Sequence, residues 1–217
     1  MKKRIRLLVS QLTLKSLLVA CLFIVFLFLF ALITNEVVYE NEASFDEKTI
    51  LFFSMHSSPA VIQLMRGFTF LGSFYFLAPA YLMLTGYLLF NKKSAYGISV
   101  LAIAISSTLV MFGLKLLFRR HRPTLPLIHD IAGYSFPSGH ALSAFIFCSI
   151  LCYQVWLTPL RTIWKWIFIT LLMCVAIAIG ISRIVLNVHY ATDVLASFCL
   201  GIVWVLLSFA VFEKWNR

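Results

Sequence analysis

Three short clusters of polar residues interrupt an otherwise apolar chain, and their types suit phosphate chemistry. The first is Tyr134-Ser135-Phe136-Pro137-Ser138-Gly139-His140, followed at once by the apolar run from Ala141. Its order suits a helix start. Proline disfavours helix on its N-terminal side, serine can cap, and glycine lets the backbone approach a ligand closely. Free N–H groups and the helix dipole at such an end attract an anion, with His140 in the first turn as a proton donor. The alternative for these four residues alone, a buried capping serine beside a core histidine, stays open.

The second cluster is Lys115, six residues, then Arg122-Pro123. The third is Ser182-Arg183, five residues, His189, three residues, Asp193. A phosphate ester resists hydrolysis because its negative oxygens repel a nucleophile, and fixed cations and N–H donors remove that obstacle. Lys115, Arg122 and Arg183 suit this role, the arginines through bidentate contacts. The Ser138 hydroxyl and Gly139 N–H complete the cradle. His189 and Asp193, four apart at a helix start, share one face. A carboxylate there can fix one imidazole nitrogen and leave the other free to attack. Lys115 could instead simply snorkel to the surface, although ionisable residues near a bilayer point to function by default.

The pattern K-x6-RP, PSGH and SR-x5-H-x3-D resembles the signature of the type 2 phosphatidic acid phosphatase (PAP2) superfamily. Every specified residue is present in family order. The resemblance covers residues 115 to 193 and the surrounding membrane pattern. It implies a lipid phosphatase in which the histidine matching His189 forms a phosphohistidine. The histidine matching His140 protonates the leaving oxygen and then activates water, with Asp193 orienting His189. Lys115, Arg122, Ser138, Gly139 and Arg183 are then the phosphate-binding set. No metal and no cofactor is expected. The compact form and short loops resemble bacterial members, whose substrates include undecaprenyl diphosphate, phosphatidylglycerophosphate and phosphatidic acid.

The elements that must position these residues follow from composition. The 217 residues are 62% hydrophobic and 12% charged, with a mean hydropathy of +0.97. Soluble domains are about half apolar, so the class is integral membrane. No linker, low-complexity tract or repeat divides the chain. The expectation is one all-α domain over 1–217 with six transmembrane helices near 17–34, 68–90, 95–118, 139–158, 163–182 and 190–212. Each spans about 30 Å of hydrocarbon at about 1.5 Å per residue, the fourth with help from the PSGH turn. Segments 35–67, 119–138 and 183–189 are outer loops, the first acidic and then lying along the interface over Thr49–Met65.

A signal peptide competes for the N-terminal apolar run, but the run is long enough to span and no convincing cleavage site follows. Leu18-Val19-Ala20-Cys21 is no lipoprotein signal, because its apolar run follows the cysteine. The five cysteines show no CxxC pair and no metal-ligand spacing, so no disulfide is expected.

The net charge of +10 is distributed as a topology signal rather than a nucleic-acid footprint. With the N-terminus cytoplasmic, Lys2, Lys3, Arg4, Arg6, Lys15, Lys92, Lys93, Arg161, Lys165, Lys214 and Arg217 lie inside. That is eleven of the eighteen basic residues. Every acidic residue except Glu213 then falls outside. This N-in, C-in arrangement puts all three motifs at the outer face of the membrane. Arg119, Arg120, Arg122 and Arg183 then sit against the general bias, and a bound phosphate supplies the reason. Arg119 and Arg120 could meet a second phosphate or a lipid headgroup, or be solvated loop charges. His121 and His129 are not expected to be catalytic, and Asn187 and Tyr190 flank His189 as packing residues.

The expected partners are a membrane lipid phosphate and the bilayer, with no nucleic acid. The polyprenyl diphosphate and phosphatidylglycerophosphate classes are favoured jointly. Oligomeric state, pathway and lipid preference are not encoded legibly. Rival classes are a phosphotransferase using the same residues with another acceptor, a non-catalytic lipid-binding protein, and a transporter. A transporter needs access to both faces, whereas the polar groups here lie on one side. A haloperoxidase does not suit so apolar a chain.

Overall fold

The computed structural model describes residues 14–40, 42–128 and 133–215. Among these, every regular element is helical. Helix α1 covers Leu14–Thr34 and runs on into a wider π-type turn, Asn35–Tyr39. It is apolar all round, with Leu18, Ile24 and Phe28 exposed on the outside of the bundle, as a lipid-facing helix is. It packs along the last helix, α8, Ala191–Trp215.

The stretch between α1 and the second expected span departs from the sequence expectation. The segment expected as an outer loop over 35–67 is mostly helical among its described residues: α2 runs Ser44–His56 and α3 runs Pro59–Leu71. Ser58 caps α3, its Oγ accepting from the Val61 N–H at 3.4 Å, with Pro59 in the first turn, where its missing N–H costs nothing. The second span is not one helix over 68–90. It breaks at Gly72-Ser73, and α4, Phe74–Phe90, leaves at 42° to α3. Two poor helix formers in sequence account for the weak point. The packing accounts for the glycine: a Cβ on Gly72 would lie 2.5 Å from Ile179 Cγ2 and 3.3 Å from His140 Cβ.

The remaining helices are α5 (Ser94–Phe118), α6 (Gly139–Trp156) and α7 (Thr162–Val185). Among the described residues, five helices are long and apolar enough to cross a membrane, and α3 with α4 makes six if the bent pair is one span. Helix α6, at about 27 Å, is the shortest of the unbroken spans. It packs against α7 and α8 and also touches α4 and α5. Leu142, Ile146, Phe147 and Ile150 from α6 meet Tyr81 of α4 and Ile103 and Met111 of α5 in the core. The Tyr81 and Phe147 rings stack edge to face at 4.7 Å. In a bilayer, helices associate through close van der Waals packing rather than water exclusion. Accordingly, a Cβ on Gly180 of α7 would fall 2.6 Å from Phe198 of α8.

The C-terminal ends of α5 and α7 and the N-terminal ends of α6 and α8 meet at one end of the bundle. Phe136, fully buried, anchors the loop there between Phe30 of α1 and Phe118 of α5, with ring centroids at 6.0 and 5.5 Å. The Phe136–Pro137 bond is cis. Helix α7 continues to Val185, so Arg183 stands in a last helical turn rather than in the loop expected over 183–189.

Candidate active site

Helix α6 begins at Gly139, and Ser138 is its N-cap with extended backbone. The hydroxyl does not cap. Ser138 Oγ is buried without a hydrogen-bond partner, although a buried hydroxyl ordinarily finds one. The backbone of Ser138 is held instead: its N–H donates to the Asp193 carbonyl at 3.3 Å, and its carbonyl accepts from Ser197 Oγ at 3.0 Å. The turn is thus tied to α8, leaving the hydroxyl and the helix N-terminus for an anion.

Three cations surround this point. Lys115, in the last turn of α5, donates from Nζ to the carbonyls of Tyr134 at 2.6 Å and Ser135 at 3.2 Å. Arg122 donates from Nε to the Gly133 carbonyl at 3.0 Å and from Nη1 to the Val188 carbonyl at 2.8 Å. Its Nη1 also lies 3.1 Å from His189 Nε2. One arginine therefore ties its own segment to the residue just before Tyr134 and to the His189 segment. Arg183 is 3% exposed; its Nη1 donates to Thr69 Oγ1, and its Nε has no partner. A buried guanidinium N–H and a buried hydroxyl, both unmatched within the described protein, suit an anion with several acceptor oxygens. Arg183, His189, Arg122 and Lys115 all lie within electrostatic reach of His140, which packs its Cβ side against Gly72.

The His189–Asp193 pair has a defined tautomer. A guanidinium has no acceptor, so His189 Nε2 must present its lone pair to Arg122, which leaves the ring proton on Nδ1. Nδ1 lies 3.3 Å from Asp193 Oδ2 and 3.3 Å from Ser135 Oγ. The same Oδ2 accepts from Ser135 Oγ and from the Tyr190 N–H. Burial pushes the imidazole down to about 3, against the opposing pull of Asp193, so the ring is neutral around pH 7. The arrangement is a neutral imidazole whose unprotonated Nε2 accepts from Arg122 beside a cationic pocket, a form of the ring suited to nucleophilic attack once that contact is exchanged.

The structure therefore brings Lys115, Arg122, Ser138, Gly139, His140, Arg183, His189 and Asp193 to one place. Sequence reasoning missed four contributors: Ser135, Thr69, Asp46 and the role of Arg120. Ser135 adjoins the PSGH turn and was open to suspicion; Thr69, in α3, carries no sequence signal. Arg120 is not a solvated loop charge: its guanidinium is largely buried and paired within the protein. It donates to Asp193 Oδ1 at 2.6 Å and to Asp46 Oδ2 at 2.7 Å. Arg119 is exposed, adopts left-handed backbone at the end of α5, and donates to the Leu116 carbonyl at 3.0 Å. Asn187, also left-handed, ties its loop to the Thr124 carbonyl at 2.6 Å. The Tyr190 ring lies beneath the Arg120 guanidinium at 4.2 Å. His121 is exposed; His129 and Asp130 lie outside the described residues. Among the described residues, no group of three His, Cys, Asp or Glu side chains is placed to hold a metal ion.

With this geometry in hand, the likeness to known proteins is informative. Residues 96–217, from the start of α5 onward and carrying all three motifs, match the PAP2 superfamily. Phosphatidylglycerophosphatase B of Bacillus subtilis (strain 168) is 32% identical over 194 residues, covering 88% of this chain and 95% of that protein. The crystal structure of a transmembrane PAP2-type phosphatidylglycerolphosphate phosphatase from Bacillus subtilis has a TM-score of 0.75 at 30% identity. It covers 90% of this chain and 96% of that one. Aquifex aeolicus LpxE, at 23% identity and a TM-score of 0.61 over 75% of this chain and 93% of its own, shares the fold. A match over more than half the chain, and a relative of this identity along nearly its whole length, establish that the protein belongs to the PAP2 superfamily.

Proposed function

We propose that this membrane phosphatase hydrolyses phosphate monoesters or diphosphates of lipids through a phosphohistidine on His189. The observation that carries the reading is the unprotonated Nε2 of His189, accepting from Arg122 in a pocket where two further cations and two unmatched buried polar groups converge. The phosphoryl oxygens dock on Lys115, Arg122, Arg183, Ser138 Oγ and the Gly139 N–H. Arg122 then turns from Nε2 to a phosphate oxygen, which frees the lone pair. Nε2 attacks phosphorus, the P–O bond to the lipid breaks, and His140 gives a proton to the departing oxygen. Asp193 holds the Nδ1 proton and balances the charge that develops on the ring. His140 next takes a proton from water, whose oxygen displaces the imidazole from phosphorus. The side chains do the charge work usual for a metal ion.

The charge distribution supports an outward-facing site with both termini cytoplasmic. Lys92, Lys93 and Arg161 lie in the turns, and Lys165 in the first turn of α7, at the end of the bundle opposite the site, in keeping with the positive-inside bias. Phosphatidylglycerophosphate is the first substrate to test, because the Bacillus subtilis relative is named for it. Undecaprenyl diphosphate and phosphatidic acid present the same chemical group.

The test is phosphate release by purified protein in detergent with EDTA, offering each of the three lipids, with His189→Ala as control. Release that survives EDTA and is lost in the variant is expected, and the rank order of lipids names the substrate class. Transfer of the phosphoryl group to an added alcohol in place of water would reveal a phosphotransferase. A His189→Ala protein of undiminished activity would overturn the mechanism.

A further inference from the structure

We propose that Asp46, in the first turn of α2, is a positioning residue for the His189–Asp193 pair and acts through Arg120 and Thr192. The proposal rests on the reading of His189 as nucleophile given above. Asp46 lies outside the matched segment 96–217, in an acidic stretch that reads as loop. Nevertheless it is 1% exposed, and both its oxygens are engaged at the site. Oδ1 accepts the Thr192 N–H at 3.0 Å, and Oδ2 accepts from Thr192 Oγ1 at 2.6 Å and Arg120 Nη2 at 2.7 Å. The other terminal nitrogen of Arg120 donates to Asp193 Oδ1 at 2.6 Å and Thr192 Oγ1 at 2.9 Å.

One guanidinium is therefore shared between two buried carboxylates, and the division has a chemical consequence. Paired with Arg120 alone, Asp193 would lose most of its negative charge to a full cation at hydrogen-bond distance. With Asp46 taking the other half of the fork, the trio keeps a net charge of about −1 by simple valence. That charge faces His189 through Asp193 Oδ2, where it holds the Nδ1 proton and stabilises the cationic ring formed as Nε2 takes up the phosphoryl group. Asp46 also fixes where Asp193 stands, because it caps the start of α8 one residue earlier, at the Thr192 N–H. The phosphate cradle of Lys115, Arg122, Arg183 and Ser138 makes none of its described hydrogen bonds to Asp46.

The experiment is a double-mutant cycle on kcat and KM with a lipid phosphate, using Asp46→Asn, Asp193→Asn and both together. Asp46→Asn is expected to lower kcat on the order of 10- to 100-fold, the range seen when the carboxylate behind a metal-ligating histidine is lost, with KM unchanged. In the Asp193→Asn background the same substitution is expected to cost nothing further. Equal losses in both backgrounds, a change confined to KM, or an unchanged kcat would each overturn the proposal. If Asp46→Asn fails to yield folded protein, Arg120→Lys enters the same cycle. A lysine keeps the charge but cannot bridge two carboxylates with a planar fork, and the same outcomes decide. A neutral Asp46→Asn beside an inactive His189→Ala sinks this proposal alone. An active His189→Ala sinks the mechanism beneath it.

Discussion

His189 is buried, and burial governs its titration. Burial pushes its pKa down to about 3, so its Nε2 lone pair is expected to be present throughout the range in which an exposed histidine would protonate. The sign is definite: a pKa lowered by burial keeps the neutral form as pH falls through 6.5, and charging requires a more acidic medium. In protein with 15N-labelled histidines, the His189 resonances should not move between pH 5 and 8, and a midpoint near 6.5 would contradict this. His189→Ala should lower kcat by about 10⁴-fold or more, as loss of a nucleophile in a catalytic unit does. His140→Ala should cost about 10²- to 10⁴-fold, the range of general acid–base help, visible as a fall in kcat for the lipid.

Among the elements, the break between α3 and α4 is the most exposed to a single substitution. Gly72→Ala places a methyl 2.5 Å from Ile179 Cγ2 and 3.3 Å from His140 Cβ. Overpacking of this kind costs about 1–3 kcal/mol, and here it also pushes on His140, the proton donor of the proposed mechanism. Thermal unfolding in detergent should show the loss of stability, and kcat should fall with it. Gly67→Ala in α3, where nothing lies within 4 Å of the added methyl, should be neutral or stabilising by up to about 1 kcal/mol. These elements also mark the limit of what the sequence reveals. The motif helices were readable because ionisable residues beside long apolar runs are rare and punctuate their ends. Helices α2 and α3 were not, because His56, Ser57, Ser58 and Pro59 break the apolar pattern as a loop would. The break at Gly72 was hidden because the surrounding residues are uniformly apolar. Asp46 looked like its neighbours Glu42 and Glu47, since a sequence cannot distinguish a solvated carboxylate from one buried against an arginine 74 positions away. Arg120 was lost in the run Arg119-Arg120-His121-Arg122 for the same reason.

Taken as a whole, the molecule is a membrane bundle with its polar chemistry concentrated at one end and the basic residues Lys92, Lys93, Arg161 and Lys165 at the other. If the site faces outward, the two ends should differ in access from outside the cell. In a background with the five native cysteines replaced, His121→Cys should react with a membrane-impermeant maleimide on intact cells. Lys92→Cys should react only after the membrane is opened. The reverse pattern would turn the molecule over and place hydrolysis on the cytoplasmic side.

The phosphohistidine is tested most directly by trapping it. Protein turning over phosphorus-labelled lipid phosphate should be quenched at alkaline pH, where a phosphorus–nitrogen bond survives, then digested and mapped by mass spectrometry. The label should lie on the peptide containing His189 and be absent from His189→Ala. Label on any other residue, with His189→Ala still able to acquire it, would contradict the mechanism.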